Sequence, residues 1–311
     1  MKHAICVALP AVLFSLSCMA QPVAFTQEPG KVHVSIGGKP FGTLYCAREQ
    51  DKPFLFPLRT STGIAVTRGW PIEPAPGDST DHPHQRGLWW AHGLTNGIDF
   101  WTNGPKTGRY ELKSEPKTDA RRRTIRVELE MAGPDKQVIG SLVEEYAFAA
   151  RGTDRYVDVL VQILADRGIP IKLGDTREGV MAVRVCEELN ESRGATLLNS
   201  EGGVGEKQIW GKRAKWVDYS GKVKDAVVGV TMFDHPSNPK FPTFWMARGY
   251  GLLAANCFGE REFTGDKTRD GGLTIPAGDK LEFRHRVVIH LGDAKAAGVD
   301  RLYSQWAAEK K

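Results

Sequence analysis

The amino-acid sequence predicts an all-β protein, a large antiparallel β-sandwich with one C-terminal helix on its surface. Three observations carry this. Apolar and polar residues alternate over nine or more positions in several segments, the period of a strand with one buried face. Gly-Gly, Asn-Gly, Pro-Gly and Gly-Asp pairs punctuate those segments, as tight turns require. Helical spacing is nearly absent before residue 299.

In chain order, Lys2 and the apolar stretch Ala4–Ser17, followed by Cys18-Met19-Ala20, read as a secretory signal cleaved after Ala20. The stretch is too short for a membrane span of about 20 residues. A lipoprotein anchor at Cys18 is the less favoured alternative, because Ser15 stands where Leu is usual. Ile125, Val127, Leu129 and Met131 alternate with Arg126, Glu128 and Glu130. Val157, Val159, Val161 and Ile163 repeat the rule, as do Leu281, Phe283, Val287, Ile289 and Leu291. Val138–Ala149, Val180–Glu187, Ala226–Asp234 and Gly251–Cys257 read as further strands. Trp210–Lys224 reads as an exposed hairpin. Fifteen to eighteen strands in one continuous run, without βα alternation, fit two packed sheets rather than a parallel doubly wound one. Val299, Leu302, Tyr303 and Trp306 recur at three and four residues, a helix over 299–309 with one apolar face. No Pro-, Ser- or Gly-rich linker divides the chain, so residues 21–311 read as a single domain.

The chain has 311 residues, 41% apolar and 25% charged, which excludes a disordered or collagen-like chain. Net charge is +5, or +4 once Lys2 is lost with the signal, too modest to imply nucleic-acid binding. No later run is long and apolar enough to span a membrane. Cleavage leaves Cys46, Cys186 and Cys257, an odd and scattered set that reads as buried thiols rather than a disulfide framework.

The chemistry concentrates in Asp81–Trp101, D-H-P-H-Q-R-G-L-W-W-A-H-G-L-T-N-G-I-D-F-W. Three of the eight histidines and three of the eight tryptophans fall here, more than a packing strand needs. If His84–His92 is one strand, His84, Arg86, Leu88, Trp90 and His92 share a face. Two imidazoles, a guanidinium and an indole on one face suit a ligand cleft. Gly87, Trp89 and Ala91 then form the packing face. Asn96-Gly97 marks a turn, and Asp99 and Trp101 share a face beyond it. Further candidates are Arg177 and Glu178 before a strand, His235 at the start of a loop, and His285 in the apolar phase of its strand.

This stretch resembles the signature of a bacterial exported family of unknown function often labelled "methane oxygenase PmoA". The resemblance extends to K-P-F-L-F-P-L-R-T-S-T-G at 52–63, D-T-R-E-G at 175–179, F-D-H-P-S-N-P at 233–239 and I-P-A-G-D at 275–279. The family more often carries a histidine where this chain has Gln85, so Gln85 is left out of the site. The membrane oxygenase subunit is a bundle of spanning helices, and this chain has no such span. The family is more similar to the galactose-mutarotase-like β-sandwich group, whose members bind sugars in a cleft on one sheet. That group's Asn-Arg and His-Gly-Gly elements are not present here, so its catalytic residues are not carried over.

The resemblance implies an exported carbohydrate-active protein: an epimerase, lyase or hydrolase acting on a sugar or oxidised glycoside, with no cofactor. His84 and His92 would transfer protons. Glu178 would supply the complementary carboxylate, and Arg86 or Arg177 would bind an oxyanion. Trp90 and Trp101 would stack on a pyranose, with Asn96, Asp99, His235 and His285 completing the substrate site. Two alternatives stay open. One is a metal centre built from His82 or His84 with His92 and Glu178 or His235; the other is a non-catalytic sugar-binding module.

Export makes a direct prediction. Exported protein is expected to begin at or near Gln21, read by N-terminal sequencing; material beginning at Met1 refutes the signal.

Overall fold

A computed structural model describes residues 21–309, and the signal segment lies outside the described residues. Nineteen strands form two large antiparallel sheets and one small ribbon within this span. Sheet I runs β1 (Val23–Glu28), β2 (Lys31–Ile36), β3 (Lys39–Tyr45), β4 (Phe54–Phe56), β5 (Leu88–His92), β12 (Gly179–Arg184), β17 (Leu252–Asn256), β16 (Phe244–Arg248). Sheet II runs β13 (Thr196–Asn199), β14 (Trp216–Val223), β15 (Ala226–Asp234), β19 (Lys280–Leu291), β10 (Asp154–Leu164), β9 (Val138–Arg151), β8 (Thr124–Ala132), β6 (Arg109–Leu112), with β7 (Lys117–Asp119) also on β8. The ribbon pairs β11 (Ile171–Leu173) with β18 (Leu273–Ile275). Among the described residues no helix is long and apolar enough to cross a membrane.

The alternation in the sequence dictates which face is buried. Val127, Leu129, Val157, Val161, Val287 and Ile289 are fully enclosed between the sheets, while intervening Arg126, Glu128 and Arg286 stay partly exposed. Ring contacts tie the layers: Trp90 of sheet I meets Phe283 of sheet II at 4.8 Å, and Phe41 meets Phe148 at 6.1 Å. Directly paired residues share a face, so register assigns both sides of sheet I. Leu88, Trp90 and His92 look inward with Met181 and Val183; Trp89 and Ala91 look outward with Ala182 and Val180. Across β17 and β16 the outward set continues through Leu252 and Ala254 to Arg248 and Met246.

The helix Val299–Ala307 buries Val299, Leu302, Tyr303 and Trp306, the four residues its periodicity picks out. They pack with Tyr156, Trp216, Phe233 and Val288 on the outer face of sheet II, away from sheet I. The helix ends at Ala307 rather than 309, and two further readings differ. The strand begun at Val180 stops at Arg184, and the basic stretch 210–224 is no exposed hairpin. Its second half is β14, an interior strand with Val217, Asp218 and Tyr219 fully buried. Cys46, Cys186 and Cys257 are buried free thiols, as expected.

Trp306 contacts Phe233, His235 and Tyr303, so its removal empties the helix–sheet junction. Trp306→Ala is expected to lower the unfolding free energy by about 3–5 kcal/mol in a denaturant titration. A loss under ~1 kcal/mol would show that the helix contributes little by docking.

Candidate functional site

The outer face of sheet I is crossed by an irregular segment, residues 79–86, that carries the first half of the His-rich signature. Regular pairing begins only at Leu88. Gly87 has φ +52°, and a Cβ there would fall 2.2 Å from the Leu55 carbonyl oxygen. That close approach breaks the strand phase, so His84 and Arg86 do not continue the face of Trp90 and His92. The single-strand expectation over 84–92 is therefore corrected: β5 holds only its last five residues.

What fixes the segment is Asp81. Its Oδ1 accepts from Arg68 Nη1 at 2.5 Å and from Arg184 Nη2 at 3.0 Å, and both guanidinium side chains are 0% exposed. Arg68 also donates to the main-chain carbonyls of Ser79, Asp81, His82 and Gln85. Arg184 donates to Ser79 Oγ and, at 2.6 Å, to Gln85 Oε1. Burial disfavours the Asp81 carboxylate, but Arg184 and the bonds from His82 and Arg68 outweigh it and hold its pKa down. Two buried cations thus dictate the path of eight residues of loop.

The loop presents two imidazoles. His82 Nδ1 donates to Asp81 Oδ2 at 3.0 Å, and its ring lies parallel to Tyr250, 5.5 Å away. His84 is half-buried, with its ring 5.8 Å from His82 and 6.3 Å from Trp101. Burial first, then the charges of Lys52 and His82, push the His84 imidazole down to about 4. Lys52 is itself enclosed and lowered to about 7 by burial. It donates to the carbonyls of Trp101 and Thr102 and to the Asn103 side chain.

Glu178, half-buried at the start of β12, accepts from Arg177 Nε at 3.3 Å. Burial raises its pKa, and the charges of Glu262 and Asp99 add to this against Arg177. Asp99 acts electrostatically on His84 too, favouring its charged form. Beyond Arg177 opens a groove of about 940 Å³, lined among others by Glu206, Gln208, Trp210 and Arg248. Arg248 belongs to the outward set of β16, so the groove adjoins the same face.

Several expected site residues lie elsewhere. Trp90 is 1% exposed and packs in the core on Phe283 and His285. His92 is also 1% exposed; its Nε2 bonds the Gly174 carbonyl at 3.0 Å, and burial lowers it to about 4. Inward-facing parity puts both beneath the sheet. His285 sits in the same interior, lowered by burial to about 3, with Asp234 at 3.6 Å raised to about 7. Both partners favour their neutral forms, so this contact is no ion pair. His235 bonds Ser237 and meets Trp306 under the terminal helix, on the far layer. Trp101 adjoins the site but is 1% exposed, wedged against Trp89, and offers no open ring face.

Four others are engaged in local structure. Asp99 accepts from the amides of Trp101 and Thr102 as a turn-forming side chain. Asn96 bonds Pro170 and Lys172 across the neighbouring loop. Arg86 reaches Pro83 and Gln50. Arg177 bridges Glu178 and Glu262 at the groove rim. The metal alternative loses its geometry, since among the described residues no three His, Cys, Asp or Glu side chains converge closely enough to hold an ion.

Arg68, Arg184, Tyr250, Lys52 and Gln85 were not among the expected residues. A usable signal existed for Arg184, a lone charge ending the apolar strand V-M-A-V-R. Gln85 lies in the His-rich stretch and Lys52 opens the motif at 52–63, but nothing local marks Arg68 or Tyr250.

Residues 31–304 match the model of a family of unknown function, DUF6807. No curated protein matches. A galactose mutarotase-like protein from Clostridium acetobutylicum aligns with a TM-score of 0.45 at 9% identity, over 88% of this chain and 99% of that one. The GH36 α-galactosidase AgaB from Geobacillus stearothermophilus aligns with a TM-score of 0.42 at 11% identity, over 87% of this chain; the chain spans 41% of that enzyme's length.

Asp81→Asn is expected to lower stability by about 2–3 kcal/mol. That is below the ~3–5 kcal/mol for breaking a fully buried pair, because the Asp81 carboxylate is partly solvated. Thermal or denaturant unfolding checks this, and an unchanged midpoint would refute the clamp.

Proposed function

We propose that this chain, which belongs to the DUF6807 family of unknown function, is an exported carbohydrate-active enzyme working by proton transfer on the outer face of sheet I. The observation that carries the reading is the pair His84 and Glu178. Both are half-buried on one face, both are biased toward the uncharged form, and one carboxylate, Asp99, acts on both. Groups pushed in these directions divide the labour of acid and base. Neutral His84 accepts a proton from the substrate; Glu178, when protonated, donates one on the other side of the ring. Epimerisation, elimination and glycoside hydrolysis all need such a pair.

A saccharide fits the surroundings better than a purely apolar ligand. Tyr250 and Trp210 are half-buried aromatic rings, and Arg177, Arg248 and Gln208 supply planar polar groups of the kind hydroxyls bond. A groove of about 940 Å³ has room for more than one ring. The burial of Trp90 and Trp101, and the cover of the Tyr250 ring by His82 and Arg184, move any ring stacking toward Trp210.

The test is turnover of aldoses, uronic acids and 3-keto-glycosides, followed by proton exchange or elimination. His84→Gln and Glu178→Gln are expected to lose turnover while stability changes by less than about 1 kcal/mol. Binding without turnover in the unaltered protein would make it a sugar-binding module.

The pH profile follows with its sign. His84 must be unprotonated, so kcat/KM falls as pH drops through about 4. Glu178 must be protonated, so the rate falls again as pH rises through its raised pKa. A bell is expected, its acid limb near pH 4 and its alkaline limb above the ordinary glutamate range. An acid limb unmoved from the ordinary imidazole range, about 6.5, contradicts the role of His84.

A further inference from the structure

We infer that His82 is a proton relay between His84 and solvent; this rests on His84 being the proton acceptor. Three independent features single out His82. Its φ of +46° lies in the left-handed region, which a residue with a Cβ rarely adopts. Such strain persists only where surroundings over-determine it, and it clusters at working sites. Its Nδ1 is committed to Asp81 Oδ2, which fixes the tautomer and leaves Nε2 bare as an acceptor. Its ring is clamped flat by Tyr250 and presented edge-to-face to His84, 5.8 Å between centroids at 77°. The orienting carboxylate cannot drift, because Arg68 and Arg184 hold its other oxygen. His82 itself is exposed, whereas His84 is half-buried.

The proton path balances. His84 takes one proton from the substrate and becomes an imidazolium. Lys52 and Arg68 act on it as like charges, and Asp99 is the opposing carboxylate. Burial and those cations press it to release the proton. Nε2 of His82 accepts it, directly or through one water, and Asp81 balances the new charge. The proton then leaves to buffer, returning both imidazoles to neutral. Glu178 supplies one proton to the product and recovers one from solvent.

A purely structural His82 would matter through the carbonyl that Arg68 holds, its bond to Asp81 and its stacking on Tyr250, none of which depends on proton transfer. His82→Asn separates the two roles, since Asn tolerates positive φ and keeps that carbonyl. In dilute buffer its turnover is expected to fall by about tenfold or more, then to recover as imidazole is added. The unaltered protein should not respond to imidazole. A loss that imidazole does not repair, or no loss at all, overturns the relay. A second readout needs no turnover: long-range 15N–1H spectra of the histidine rings. Protonated Nδ1 and unprotonated Nε2 are expected on neutral His82. A protonated Nε2 on neutral His82 overturns the inference by itself. Absence of turnover in the unaltered protein would refute the enzyme reading instead, leaving the spectra to judge the relay.

Discussion

The ion cluster of Asp81 with Arg68 and Arg184 is the constraint on which the site depends. Two guanidiniums with fully buried side chains share one oxygen of a carboxylate that is still 40% exposed. Burying two like charges is unfavourable unless their remaining donors are satisfied. The loop satisfies the terminal guanidinium nitrogens: main-chain carbonyls of residues 79, 81, 82 and 85 turn toward Arg68, while Nε of both arginines stays buried without a partner. The segment needs no helix or strand to be ordered, because its backbone acceptors are wound around a cation. His82 and His84 inherit their directions from that winding.

The sandwich divides packing from chemistry. Inward-facing residues of sheet I meet sheet II in a dry core, and that core takes Trp90, His92 and His285 with it. Each buried imidazole is pushed toward neutrality, which makes it compatible with the interior. The terminal helix covers the outer face of sheet II. The outer face of sheet I is instead bordered by loops, the elements on which binding groups are commonly placed over a rigid scaffold.

Electrostatics then tune one residue through its neighbours. Lys52 holds the loop at 101–103 by its donors and discourages protonation of His84 by its charge. Asp99 has its oxygens engaged by the amides of its own turn. The site therefore has few spare polar groups, and His84, Glu178 and His82 stand out because their chemistry is not fully consumed by structure.

The sequence by itself determined the all-β class, the buried phase of the long strands β8, β10 and β19, and the apolar face of the terminal helix. Those features follow from periods of two and 3.6, which local chemistry fixes. It also drew the eye to residues 81–101 and to Glu178. It did not place them. Period two extrapolated across Gly87 put His84 on the face of His92, while a left-handed glycine pressed against Leu55 places them on opposite sides of the sheet. Which face of β5 met the second sheet was decided by the partners Met181, Val183 and Phe283, tens to hundreds of residues away. Arg184 and Tyr250 became site residues only when the fold brought chain separations of more than a hundred residues to one carboxylate and one ring, whereas Arg68 reaches Asp81 from 13 residues away. Such long-range juxtaposition has no local signature, because what selects it is the shared neutralisation of buried charge.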